Sequence, residues 1–297
     1  MKLTTFFLKK EKHIGLLIND YVVDFDLAAK RMRIPSFPRD MKEFLEMGSV
    51  AMNNARVVHE KAVELLSQGK QSNYLFPVKS VKLWAPVDKP EKIICIGQNY
   101  IDHCREQGVE PPERPIVFAK FWNTLNGPSE PVLLPGVSDK IDYEAELAFV
   151  IGKRGRNISI DQAMKYVAGY MVLNDITARD IQKSDGQWVR GKSCDTFAPC
   201  GPSLVTKDEI KDPHLLKISL KLNGKVMQES STSNLIFKIP FLIEYLSKSM
   251  TLQPGDIVST GTPPGVGFAR KPPVFLKAGD VIETFIENIG CLKNKIK

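Results

Sequence analysis

Asp142-Tyr143-Glu144-Ala145-Glu146-Leu147-Ala148-Phe149-Val150-Ile151 is the stretch from which the rest of the chain can be read. Side chains alternate faces along a strand. Ala145, Leu147, Phe149 and Ile151 therefore form one apolar side, while Glu144 and Glu146 stand together on the other. Two carboxylates on one face of a half-buried strand repel each other unless a cation or basic side chains neutralise them. A metal site is one explanation and a solvated strand face is the other. What decides between them is whatever else can approach this face.

A third acid is suitably placed. Val167-Ala168-Gly169-Tyr170-Met171-Val172-Leu173-Asn174-Asp175 reads as a nearly all-apolar strand that ends on an acid. If the two strands are neighbours, Asp175 approaches Glu144 and Glu146, and three carboxylates with waters suit a hard divalent cation. Asp175 could equally cap a following helix over 178–183. The four histidines form no HxH or HExxH pair, and the five cysteines form no CxxC. The ligands of any metal are then oxygens, which favours magnesium, manganese or calcium over zinc. The thiols read as reduced rather than disulfide-bonded.

Upstream, residues 92–96 read as a buried strand, ending in Gly97-Gln98-Asn99-Tyr100. A short helix over 101–107 stops at Gly108 and puts His103 and Glu106, three apart, on one face. A carboxylate beside an imidazole holds one tautomer, as a general base requires. A surface ion pair is the ordinary alternative. A strand over 116–120 follows. Downstream lie Gln182 and Trp188-Val189-Arg190-Gly191-Lys192-Ser193-Cys194-Asp195-Thr196-Phe197, in which Lys192 alone signifies nothing. Asn223-Gly224 marks a tight hairpin, and Pro240 opens a helix that runs to Ser249. The loop Gly261-Thr262-Pro263-Pro264-Gly265-Val266-Gly267 lacks a Walker lysine and a following helix, so a phosphate loop is not indicated. Its amides and Thr262 could receive a carboxylate.

The first 85 residues read as strands at 2–8, 13–18 and 21–25, then a helical section. There Ala51, Ala55, Val58, Ala62, Leu65 and Leu66 recur at helical spacing, with Gly69 at its end. The proline-spaced segment 77–90 reads as a linker, which sets a boundary near residue 85: a small N-terminal domain over 1–85 and a catalytic domain over 86–297. After residue 85 strands dominate, with short helices between them. That predicts an α+β fold with a β-roll or sandwich core rather than regular βαβ winding.

The bulk numbers exclude several classes. The chain has 297 residues, 43% hydrophobic and 25% charged, ordinary for a globular protein. No apolar run approaches the roughly 18 residues of a membrane helix. The start resembles neither a secretory signal nor a transit peptide, so the expected location is cytoplasmic, or an organelle matrix if the chain is processed. The net charge of +7 is spread out and lacks a nucleic-acid-binding motif, so the expectation is no nucleic-acid and no membrane partner. Attraction of small anions accounts for the charge equally well.

Taken together, these motifs resemble the fumarylacetoacetate hydrolase family. The resemblance is carried by Gly97-x-Asn99-Tyr100-x-x-His103-x-x-Glu106, Glu144-x-Glu146, and Asp175 with Thr177-Ala178-Arg179-Asp180. Gly191-Lys192-Ser193, Asp195-Thr196-Phe197 and Thr260-Gly261-Thr262-Pro263-Pro264-Gly265-Val266-Gly267 complete it, in family order from about residue 90 onward. It implies a mixed β-sandwich roll as the C-terminal domain, with a small N-terminal α+β domain, and a homodimer. It further implies Mg2+ or Mn2+ (Ca2+ being possible) on Glu144, Glu146 and Asp175, chelating a 2-oxo acid. His103 and Glu106 would form a mobile lid dyad, Lys192 would stabilise oxyanion charge, and Gln182, Thr262 and Lys120 would contact substrate. The side chains with which relatives grip the larger diketo acid have no match, and Gln98 and Gly186 stand near where tyrosines are expected. That shifts the expected substrate towards a small 2-oxo diacid such as oxaloacetate.

An enolate stabilised by the cation leads to three outcomes: carbon–carbon hydrolysis of an acylpyruvate, decarboxylation, or tautomerisation. The motifs are common to all three. A non-catalytic, metal-stabilised binding protein on the same fold is the alternative, though such a scaffold has no chemical need for an intact dyad and Lys192.

Overall fold

The computed structural model describes residues 1–297. Its centre is a 12-stranded mixed sheet whose main path places ten strands side by side. In spatial order these are Leu75–Pro77, Tyr21–Asp24, Glu11–Ile18, Lys2–Leu8, Ala198–Thr206, Val167–Asn174, Ala145–Ile151, Ile257–Ser259, Ile93–Gly97 and Ile116–Lys120. A separate four-stranded sheet orders Lys225–Ser231, Lys217–Leu222, Val281–Ile286 and Gly290–Lys295. The turn between the first two is Asn223-Gly224, both at positive φ, as a tight hairpin requires. The fold is mixed α+β with few helices, as the strand-rich sequence indicated.

Two apolar layers sandwich the large sheet. Ala145, Leu147, Phe149 and Ile151 face the smaller sheet, packing with Ile218, Leu220, Ile282 and Ile286, and with Leu242 and Leu246 of helix Ile239–Ser249. Ala148 and Val150 point the other way. They join Met171 and Leu173 beneath helix Ser49–Ser67, whose Ala51, Ala55, Val58 and Ala62 provide the small inward face. Phe25, Phe37 and Phe44 stack beside it. The central strand is thus buried on both faces rather than half-buried, so Glu144 and Glu146 have no water-facing side on which to be idle.

The first 85 residues extend the same sheet. Lys2–Leu8 pairs antiparallel with Ala198–Thr206, placing Leu3 opposite Leu204. The 77–90 segment, expected as a linker, contributes strand Lys82–Trp84 and the buried Ala85 and Val87. Strand Ala198–Thr206 itself was not expected. Its Pro199 and Pro202 lack ladder donors and Gly201 has no side chain to pack, which together mask a strand in any residue-pattern reading.

Register brings the acids together. Ala145 lies opposite Asn174, so the next pair outward is Glu144 and Asp175, and the Asp175 amide donates to the Glu144 carbonyl at 2.9 Å. Ala148 lies opposite Ser259 on the other side, and Ser259 lies beside Cys95. The start of Ala145–Ile151 and the ends of Val167–Asn174, Ile257–Ser259 and Ile93–Gly97 therefore share one edge of the sheet. The chemistry-bearing residues collect there.

Candidate active site

Side-chain oxygens of Glu144, Glu146 and Asp175, all buried, lie within 4.8 Å of one another. Asp175 does not cap the next helix, Arg179–Ser184, which has no side-chain cap. Its two oxygens are taken by lysines instead: Lys120 Nζ at 2.7 Å from Oδ1 and Lys192 Nζ at 2.6 Å from Oδ2. Lys192 also reaches Glu144 Oε2 at 2.6 Å, and Arg179 Nη2 lies 2.5 Å from Glu144 Oε1. Burial pushes the Glu144 carboxyl up, but the Arg179 and Lys192 charges outweigh it and hold the group down at about 2. Burial likewise opposes the charge on Lys192, and Asp175 and Glu144 more than offset it, raising its pKa.

Glu146 is different. Its Oε2 accepts from Ser259 Oγ at 2.5 Å and from the Gly261 amide at 2.9 Å, yet no basic side chain pairs with it. Burial, then Asp175 and Glu144, push its pKa well above the ordinary value. Gly261 makes its contact at φ +98°, a conformation side chains other than glycine's resist. Lys120, Arg179 and Lys192 match Asp142, Glu144 and Asp175, which leaves Glu146 the one carboxyl of this buried cluster without a basic partner. The all-oxygen donor set and the unpartnered Glu146, whose charged form a cation would favour, fit a hard divalent cation.

Arg179 was quoted in the sequence only as part of a motif. In the structure it connects the site: Nε donates to Asp142 Oδ2 at 2.8 Å, Nη1 to Gln182 Oε1 at 3.1 Å, and its guanidinium lies 4.4 Å from the Phe268 ring centroid. Asp142 in turn accepts from the Gly267 amide at 2.7 Å and the Phe268 amide at 3.1 Å, pinning the glycine-rich loop. A Cβ at Gly267 would lie 1.9 Å from the Val274 carbonyl oxygen, so only glycine allows that approach.

A cavity of about 500 Å³ opens above the acids. Glu144, Glu146, Lys192, His103, Gln182 and Thr262 all line it, as do Gln98 and Gly186. Lys120, expected at the substrate, does not; its ammonium sits on Asp175 and on the Ile176 carbonyl, where it steadies an acid rather than a ligand. Thr262 Oγ1 accepts from Gln228 Nε2 at 2.8 Å, so its own proton is free to donate. Gln228 Oε1 also accepts from the Ala145 amide, which ties this threonine to the central strand. Gln182 Oε1 is occupied by Arg179, leaving its amide NH2 as a donor. These unspent donors, with Arg179, Lys183 and Lys192 in the wall, suit an anion.

Helix Ile101–Gln107 covers one side and ends on Gly108 in the left-handed region, as expected. His103 Nδ1 lies 3.0 Å from Glu106 Oε2, and Glu106 Oε1 accepts from the Gly265 amide at 2.8 Å. The helix is tied elsewhere by Asp102, which accepts from Ser230 Oγ at 2.6 Å and Asn234 Nδ2 at 2.9 Å. Asn99 at its base bonds the Phe237 amide and the Thr260 carbonyl. Asn99 was quoted in the sequence only as part of a motif, and Gln107, Gln228 and Ser259 had no distinguishing signal there, being common polar residues whose roles depend on their partners.

Comparisons with known proteins identify the family. A sequence model described as "Fumarylacetoacetate (FAA) hydrolase C-terminal" matches residues 92–297. "Oxaloacetate tautomerase fahd2, mitochondrial" from Xenopus laevis is 48% identical over 285 residues, covering 95% of this chain and 85% of that protein. Among solved structures, a fumarylacetoacetate hydrolase from Exiguobacterium antarcticum superposes with a TM-score of 0.81 at 32% identity, covering 100% of this chain and 99% of the other. A maleylpyruvate hydrolase from Sphingobium, in complex with manganese (II) ion and pyruvate, gives 0.77 at 31%, with coverage of 100% and 98%. The chain is an enzyme that belongs to the fumarylacetoacetate hydrolase family.

Proposed function

We propose that this enzyme is a divalent-cation-dependent oxaloacetate tautomerase, acting on small 2-oxo diacids. The observation that carries the reading is the pairing of a buried three-carboxylate cluster, one member of which lacks a basic partner, with a cavity lined by the unspent donors Gln182 Nε2 and Thr262 Oγ1. The name borne by the Xenopus relative supports tautomerisation. The maleylpyruvate hydrolase neighbour keeps carbon–carbon hydrolysis as the second reading.

Glu144, Glu146 and Asp175 would hold the cation, magnesium or manganese being the best match to their oxygens. Once bound, such a cation polarises the 2-oxo group and offsets substrate charge. Thr262 and Gln182 bind and orient the carboxylates. Glu106 keeps a proton on His103 Nδ1, so Nε2 is the atom that takes the enol proton and returns it to C3. Lys192, once released from Glu144 and Asp175, places fixed positive charge where the substrate oxygen gains it.

The test is the decay of enol-oxaloacetate absorbance with purified enzyme and Mg2+ or Mn2+, run beside oxaloacetate decarboxylation and acylpyruvate hydrolysis. Metal-dependent acceleration is expected, falling about 10²-fold or more in His103→Ala with cation binding intact. Activity retained in chelator, or His103→Ala at the wild-type rate, would overturn this assignment.

The Xenopus name also carries "mitochondrial", which supports the organelle-matrix alternative over a cytoplasmic location. No helix is long and apolar enough to cross a membrane. We also propose a homodimer, supported by the outermost strand Ile116–Lys120 and its exposed neighbours Phe121 and Trp122. Sedimentation of the purified enzyme as a monomer would refute it.

A further inference from the structure

The last residue of the covering helix lies against the His103 imidazole. Gln107 is half-buried, lines the cavity, and places Nε2 2.6 Å from His103 Nε2. Glu106 is an acceptor on the other ring nitrogen, so Nδ1 carries the proton and Nε2 presents its lone pair. Only the NH2 side of an amide satisfies a lone pair, so Gln107 donates and His103 Nε2 accepts. The donor therefore occupies the position that a water poised on this base would need.

We propose that Gln107 guards His103 Nε2 against water and so biases the site towards proton return at C3 over carbon–carbon hydrolysis. The inference rests on the tautomerase reading and deepens it. Gln107 follows His103 by four residues on one helix, so its amide is tethered next to the ring. A free water must displace a tethered donor with no tether of its own. A 2-oxo acid held by Thr262, Gln182 and the acid cluster is itself held in place and exchanges with the amide one for one.

The two reactions differ in their need for that water. In tautomerisation the enol O–H proton leaves, the C2–C3 double bond becomes C2=O, and C3 gains one proton; no water is consumed. In hydrolysis the oxygen of water bonds to C4 and one of its protons passes to Nε2. The C3–C4 bond then breaks with its electron pair moving to C3, which takes that proton back, and a carboxylic acid is released. Only the second reaction requires water on Nε2 while substrate fills the cavity.

The test uses Gln107→Met, which keeps the length and removes the donor. The full-length enzyme with Mg2+ is assayed in one preparation for enol-oxaloacetate tautomerisation and for acylpyruvate hydrolysis. The ratio of hydrolysis to tautomerisation should rise about tenfold, the weight of one lost competing hydrogen bond, and should do so in kcat. A merely structural role lowers both rates together and leaves the ratio unchanged, which would overturn the guard. Gln107→Asn, too short to reach Nε2, reads the same ratio should the methionine variant misfold. If the wild-type enzyme accelerates no tautomerisation with metal, the functional reading itself fails and the guard with it. An active wild type with an unmoved ratio removes the guard alone.

Discussion

The acid cluster beneath the cavity and the helix that covers it are held by opposite means. Glu144, Asp175, Lys120, Lys192 and Arg179 are buried charges locked to one another, and removing one leaves its partner uncompensated. Helix Ile101–Gln107 is held by separable contacts: Asp102 to Ser230 and Asn234, and Glu106 to the Gly265 amide. Stranding a buried charge costs about 3–5 kcal/mol, whereas a single hydrogen bond to a part-exposed carboxylate contributes about 1.5–3 kcal/mol. The floor of the site is therefore fixed in place, and its cover can be released.

The largest expected effect comes from breaking the floor. Asp175→Ala leaves Lys120 buried without a carboxylate and takes from Lys192 one of its two, so stability should fall by about 3–5 kcal/mol, and both cation binding and turnover should vanish. Calorimetric titration with Mn2+ and thermal melting check the two halves of this statement. A variant that still binds the cation would show that the acids are not its ligands.

Lys192→Met should be smaller and of mixed sign. Its ammonium occupies oxygens of both Glu144 and Asp175, so its loss removes a competitor of the cation while removing positive charge from the cavity. Turnover should drop by about 10²–10³-fold, and cation affinity should hold or rise. Weaker cation binding in this variant would mean that the lysine supports the ligands rather than competing for them.

Ser230→Ala probes the cover and should be the mildest. Asp102 keeps Asn234 as a donor, so the expected cost is about 1.5 kcal/mol and the change in turnover less than about tenfold. Hydrogen exchange over residues 101–107 should accelerate while the strand Ala145–Ile151 stays protected. If both regions exchange faster together, cover and floor are one cooperative unit and the contrast drawn above fails.

The floor was more legible in the sequence than the network around it, for physical reasons. Glu144 and Glu146 could be paired because strand periodicity puts them on one face, and Asp175 because it ends an apolar run. His103 and Glu106 could be paired because helical periodicity does the same over three residues. Lys192 came only from the family resemblance, since lysine is abundant on surfaces. Arg179 and Lys120 could not be given their positions by any local rule: one joins Asp142, Glu144 and Gln182, and the other crosses to Asp175. Strand Ala198–Thr206 was hidden by its own prolines. Local periodicity is visible in one dimension, and the partner of a long polar side chain is not.

The pairing of Lys2–Leu8 with Ala198–Thr206 has a consequence for how the protein is made. The ribosome produces this strand long before one of its sheet neighbours, Ala198–Thr206, emerges. Contacts of such sequence separation close late and slow the overall folding of a domain. Until then the Lys2-Leu3 end of the first strand is an open strand edge, the kind of surface that recruits other nascent chains. The hairpin with Glu11–Ile18 covers one side of that strand early. Along the other side Lys82–Trp84 pairs with Thr5 to Phe7 next, and only the Lys2-Leu3 end waits for Ala198–Thr206.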